Sequence, residues 1–174
     1  MRYLFFLLLP VWLPAQDWPA AVHYDGRFRV AAPAPLVERV DTIAVAVGPL
    51  PYHVLYYQSP DLTADNLFYM VSYTDYPPGT AHADSTALLA DFWAATVATS
   101  VESLRGELLY EAPAPFGDYP GHRWRVDYLE GQAIVKTWAF LRGNRYYALQ
   151  TIALKEKSLN PSTERFFASF ELLE

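Results

Sequence analysis

Arg27 to Val30 alternates polar and apolar residues, the two-residue period of a strand with one buried face. Ahead of it, Gln16 to Tyr24 reads as a short leader docked through Trp18, and Pro33 and Pro35 close the strand. Asp41 to Val47 repeats the period with Ile43, Val45 and Val47 on one face, and Gly48-Pro49 with Pro51 predicts a turn. Tyr52 to Tyr57 and Leu67 to Tyr76 follow as strands, joined by the polar loop Ser59-Pro60-Asp61. The second carries Leu67, Tyr69, Val71 and Tyr73 on one face and Phe68 and Met70 on the other, so it is expected centrally in its sheet.

The period changes after Pro77-Pro78-Gly79. Leu89, Trp93, Val97 and Val101 recur every four residues, flanked by Leu88, Phe92 and Leu104, which predicts one apolar stripe of a helix over residues 85–105. Asp84 or Ser85 would cap its start, and Arg105 with Gly106 suits its end. Strand pattern resumes at Leu108 to Glu111, followed by a proline-rich connection from Ala112 to Pro120. In Arg123 to Tyr128 the alternation turns Trp124, Val126 and Tyr128 inward. The pairs Glu130-Gly131 and Gly143-Asn144 would fold residues 122–153 into three antiparallel strands. Asn160 before Pro161 marks a short last helix that brings Phe166, Phe167 and Phe170 to the core. The expected fold is α+β: an antiparallel sheet of about six to seven strands flanked by one long and one short helix.

The first residues change the picture of where this domain works. Arg2, an apolar stretch from Tyr3 to Leu13 and the exit Leu13-Pro14-Ala15 have the form of a secretory signal peptide. A spanning helix needs about 20 apolar residues, and this run is shorter and holds Pro10. Residues 1–15 are therefore expected to be cleaved, leaving 16–174 as a single globular domain in the periplasm or outside the cell. No later segment is apolar enough to span a bilayer. With no cysteine in the chain, disulfides, thiolate metal sites, a cysteine nucleophile and a lipidated cysteine are all excluded.

The leader holds one arginine and no acid, so the mature chain sets 12 basic against 19 acidic residues, a balance of −7. That charge repels phosphate backbones and argues against nucleic acid as a partner. Five tryptophans and thirteen tyrosines are largely accounted for by strand composition.

Several segments together resemble a known fold. They are Asp25 to Pro33 near the mature start, Tyr73-Thr74-Asp75-Tyr76-Pro77 before the helix, Asn144 to Leu149, and Arg165 to Phe170. These are similar to small proteins of the Mog1/PsbP-like fold, an α/β/α sandwich, and the resemblance spans residues 24–172. It implies a binding or accessory protein, since better-known members dock on a GTPase or on a photosynthetic complex. No residues here match a partner-binding motif of either, and a shared fold leaves function to be argued from a site.

Candidate chemistry is sparse. His23, His53, His82 and His122 are scattered, with no HExxH spacing. His82-Ala83-Asp84 pairs a histidine with a carboxylate in the loop ahead of the long helix, where a solvated loop with Asp84 capping the helix is favoured over a metal ligand or base, since no third ligand is nearby. There is no G-x-S-x-G elbow and no glycine-rich phosphate loop. Asp61, Asp65 and Asp75 are too few and too scattered for a calcium loop, and solvated loop acids outnumber glycosidase pairs. No cofactor is expected. The one surface of interest is basic: Arg123 and Arg125 face away from Trp124 and Val126, while Lys136, Arg142 and Arg145 lie on the next hairpins near Trp138 and Tyr146-Tyr147. Such a face would meet an acidic partner or a sugar acid, unless nearby acids such as Asp127 and Glu130 already pair with it.

The reading is an exported, non-catalytic accessory or protein-interaction module of unknown partner, with another envelope protein as the candidate. Two alternatives stand beside it: a small-ligand binder with an aromatic-lined pocket, and an enzyme built on His82 and loop carboxylates.

Overall fold

The computed structural model describes residues 17–80 and 86–174, so the expected signal peptide, His82 and the cap positions Asp84 and Ser85 lie outside the described residues. Seven strands form the main sheet: β3 (Val37–Val45), β4 (Gly48–Gln58), β5 (Phe68–Asp75), β6 (Glu107–Pro113), β7 (Gly121–Tyr128), β8 (Ala133–Arg142) and β9 (Arg145–Leu154). Their spatial order is β3-β4-β5-β9-β8-β7-β6, with every neighbouring pair antiparallel. Two meanders are thus joined by one crossing. After β5 the chain passes through helix α1 (Thr86–Leu104) to the far edge, then returns strand by strand until β9 meets β5. β5 is interior, as its two apolar faces require, but the middle place belongs to β9.

Alternation along these strands gives the sheet two apolar faces. On one, α1 lays Trp93 and Val97 over Trp124, Val126, Leu141 and the small Ala139 and Ala148. Leu89, Phe92, Val101 and Leu104 extend the predicted stripe, while Leu88 stays exposed. The other face holds the larger core, in which Tyr69, Val71, Phe140, Tyr147 and Leu149 pack against Phe166, Phe167 and Phe170. The first two of those phenylalanines come from α2 (Pro161–Ala168). Phe140 stacks on Tyr147 with centroids 5.1 Å apart, and Phe28 on Phe170 at 5.3 Å, contacts worth about 0.5–1.5 kcal/mol each beyond the area they bury.

Phe28 and Val30 reach that core from a second, three-stranded sheet that the pattern did not predict. In it β1 (Ala20–His23) and β10 (Glu171–Leu172) both pair with β2 (Phe28–Ala31). The segment expected as a docked leader is therefore half strand, although Trp18 does dock, edge-on to Tyr69 at 5.5 Å.

The turn expected at Gly48–Pro51 sits two residues earlier, at Ala46-Val47, and both prolines lie inside β4 opposite β3. β5 joins β4 only from His53 onward, so Pro49 and Pro51 occupy a stretch with one open side, where a missing donor costs no ladder bond. At the end of α1, Arg105 takes the left-handed conformation at φ 50°. Gly106 is required next to it for a different reason: a Cβ there would collide with Val126 Cγ1 and lie 2.6 Å from the Asp127 carbonyl.

A buried polar knot seats α2. Asn160 caps the helix by accepting from the Thr163 amide at 3.0 Å, and its amide nitrogen donates to the carbonyls of Lys157 and Asp65. Asn160 and Asn66 also exchange reciprocal amide bonds of 3.2 and 3.0 Å, and the Thr163 hydroxyl lies 3.0 Å from that of Thr151 on β9. The loop acids serve the same construction: Asp65 accepts from Ser162, and Asp61 closes its own turn through Thr63.

Candidate functional site

The five basic residues singled out above share one sheet face, the one that carries α2, because 123 and 125 on β7, 136 and 142 on β8 and 145 on β9 fall in phase. Register divides them into two groups. Arg142 and Arg145 face each other beside the β8–β9 turn, while Arg125 faces Lys136 near the other end of the strands.

At the turn end the charges are well met. Arg145 forms a two-pronged pair with Asp75, at 2.6 and 2.7 Å, and donates a third bond to the Asp25 carbonyl at 2.7 Å. Its guanidinium lies 4.9 Å from the centre of the Tyr73 ring, which stacks on His53 from β4 at 4.4 Å. Burial is the main reason the Tyr73 hydroxyl is pushed up to about 12; Arg145 pulls the other way. Arg142 donates to the Leu173 carbonyl at 3.0 Å and so anchors the C-terminal strand. His23 is held between the Gly26 amide, which donates to Nδ1 at 2.8 Å, and Glu38, 3.1 Å from Nε2.

At the other end the balance differs. Arg123 reaches Glu164 of α2 at 3.1 Å and lies over the Trp138 ring at 4.5 Å. Arg125 is forked onto Asp127 at 2.7 and 3.1 Å, with both side chains largely buried. Lys136 is half-buried between them and, among the described residues, has no carboxylate within ion-pair distance. Its own burial is the largest influence and lowers its pKa; Glu164 nearby raises it and Arg125 lowers it further.

On the α1 side, His122 stacks on Trp93 at 4.8 Å with its Nδ1 buried and, among the described residues, without a hydrogen-bond partner. Burial lowers the His122 pKa against the opposing pull of Glu111. Tyr146 leans on the same tryptophan, and burial raises its hydroxyl far above the usual tyrosine value. Both histidines with unpaired nitrogens, His53 and His122, are thus packed as aromatic plates on opposite faces. Among the described residues no group of three His, Asp or Glu side chains is placed to hold a metal. His82 with Asp84 lies outside the described residues.

A feature the sequence pattern did not reveal lies at the sheet edge. β6 is exposed along its whole length, with Leu109 55% and Tyr110 45% accessible. Beside it, α1 and β6 enclose an open groove of about 460 Å3, floored by Val97, Val101 and Leu108 and rimmed by Glu102 and Glu111. The other edge, β3, is broken up by Glu38, Arg39 and Asp41, the last two paired at 2.8 Å. Charged side chains of that kind protect an edge from added strands. β6 confines its charges to Glu107 and Glu111, and a register shift at Leu109 interrupts its pairing with β7, so its open edge is apolar over Leu108-Leu109-Tyr110 alone. Leu108-Leu109-Tyr110 was legible as an apolar run, but its place at an edge depends on the α1 crossing, which no local pattern encodes.

Helices on both faces of an antiparallel sheet define the class of α+β sandwiches. Within it the fold is PsbP-like. The chain is similar to the solution structure of cyanobacterial PsbP (CyanoP) from Synechocystis sp. PCC 6803, with a TM-score of 0.62 over 95% of this chain and 98% of that one, at 9% identity. Searches of family models and of curated proteins give no match. At such identity the likeness speaks for the fold alone.

Proposed function

We propose that this is an exported, non-catalytic interaction module that binds an extended segment of another envelope protein along β6 and the groove beneath α1. The reading rests on one observation: an exposed edge strand with an apolar centre borders an apolar groove. An edge of this kind offers backbone groups to a partner strand, while pockets beside it receive alternate side chains. Export is supported by the form of residues 1–15.

Charge selects the occupant. Glu102 and Glu111 rim the groove, and the mature chain stands at −7, so the fitting segment is apolar in its middle and flanked by lysine or arginine. A second copy of this chain fits less well, because antiparallel pairing about Leu109 would set Glu107 against Glu111. The test is titration with two synthetic strand peptides of equal hydrophobicity, one lysine-flanked and one glutamate-flanked. The lysine-flanked peptide should bind, weaken with salt, and fail against Leu108→Lys. Equal binding of both, or binding unaffected by that substitution, would refute the proposal.

A further inference from the structure

On the opposite face of the sheet, the geometry around Lys136 points to a second site, a binding place for the carboxylate of an acidic sugar. It goes beyond the strand-docking reading and does not depend on it.

Three cations, Arg123, Arg125 and Lys136, share two carboxylates there, Glu164 and Asp127, and Asp127 is also approached by Lys155 at 3.8 Å. Each arginine already has its acid. The remaining charge belongs to Lys136, a half-buried ammonium facing Arg125 across the strand pair. Its ammonium keeps donors free for an anion that approaches from solvent.

The aromatic setting narrows the ligand. Tyr110, opposite Arg125 on β6, is 45% accessible, and the neighbouring Trp138 ring is already covered by Arg123. Arg125 on β7 stands between Tyr110 on β6 and Lys136 on β8, so a ligand that uses both must span two strand spacings, roughly 10 Å. In an oligouronate one pyranose offers an apolar face for the Tyr110 ring and a neighbouring one the carboxylate for Lys136. Sites of this type combine an apolar surface with a few polar groups that fix orientation. A bare inorganic anion would leave Tyr110 unused, and an acidic peptide would present a flexible acid without a flat face.

Trigalacturonate is the probe, with its methyl ester as the uncharged isostere and inorganic phosphate and triglutamate as competing anions. Binding is followed by amide shifts on β7 and β8 and by the Lys136 ammonium signal, whose titration should move upward when the carboxylate arrives. Lys136→Met should weaken binding by at least roughly tenfold, the scale of one charge-assisted hydrogen bond, and leave the thermal midpoint unchanged or higher. Tyr110→Ala should weaken trigalacturonate but not phosphate. Equal binding of the ester, no effect of Lys136→Met, or phosphate or triglutamate binding as tightly as trigalacturonate would each overturn the inference. Because this assay reads the α2 face, its failure would leave the β6 proposal standing, and the reverse holds too.

Discussion

Replacing Asn160 with alanine tests how the short helix is held to the sheet. The side chain does two separable jobs. Its oxygen accepts from the Thr163 amide, an N-cap bond whose loss costs about 0.5–2 kcal/mol. Its amide also pairs reciprocally with Asn66, a residue only 1% accessible, and donates to two backbone carbonyls. Cutting a buried polar pair on one side costs about 1–3 kcal/mol, because the remaining partner stays desolvated. The Thr163 hydroxyl still donates to the Asn66 oxygen at 3.1 Å, which limits the damage. Together these give a loss of roughly 2–4 kcal/mol for Asn160→Ala. Asn160→Asp keeps the cap acceptor and loses the donors, so it should fall between wild type and alanine. Urea unfolding followed by tryptophan fluorescence measures both, with the denaturant slope expected to stay constant. A double-mutant cycle with Asn66→Ala should show coupling of about 0.5–3 kcal/mol. A loss below about 1 kcal/mol for Asn160→Ala, or no coupling to Asn66, would refute the account of this knot.

Trp93→Ala should cost about 3–5 kcal/mol, since the ring is buried against the sheet by α1; chemical denaturation checks it. Gly106→Ala should cost about 1–3 kcal/mol in the same assay, because the added methyl meets the Asp127 carbonyl as well as a side chain. His122 binds its proton less tightly when folded than its ordinary value of 6.5, so the unfolded chain takes up protons first and stability should fall as pH drops through 6.5. His122→Phe should flatten that part of the pH profile. Tyr73 has the opposite linkage: its proton is held to about pH 12 in the fold, so stability should decline as pH rises from about 10 toward 12, and Tyr73→Phe should reduce that decline without abolishing it, because burial also raises Tyr146 and Tyr147.

What could be read in advance follows from how local each signal is. The α1 stripe, the Asn160–Pro161 helix start and the turns at Glu130-Gly131 and Gly143-Asn144 each depend on a few adjacent residues, and all appear in the structure. Pro49 and Pro51 misled because a proline disrupts a strand only where its amide is needed, and that depends on where β5 begins to pair. β1 was hidden because its partner β2 also needs β10, from the far end of the chain. The same divide runs through the sites. Alternation turned Arg123 and Arg125 away from Trp124 and Val126, while the pairing register was needed to bring Lys136, Arg142 and Arg145 onto the same face. Which charge stays unmet depends on Glu164 and Asp75, and these lie 41 and 70 residues from the arginines they pair with. The groove at β6 is further still from local pattern, because it forms only when the α1 crossing delivers Leu108 to an edge.

Amide hydrogen exchange with the lysine-flanked strand peptide tests the edge most directly. Exchange at the β6 amides should slow when the peptide is present, while the amides of β3, the other edge of the same sheet, keep their rates. Unchanged rates along β6, or equal slowing at both edges, would contradict docking on this strand.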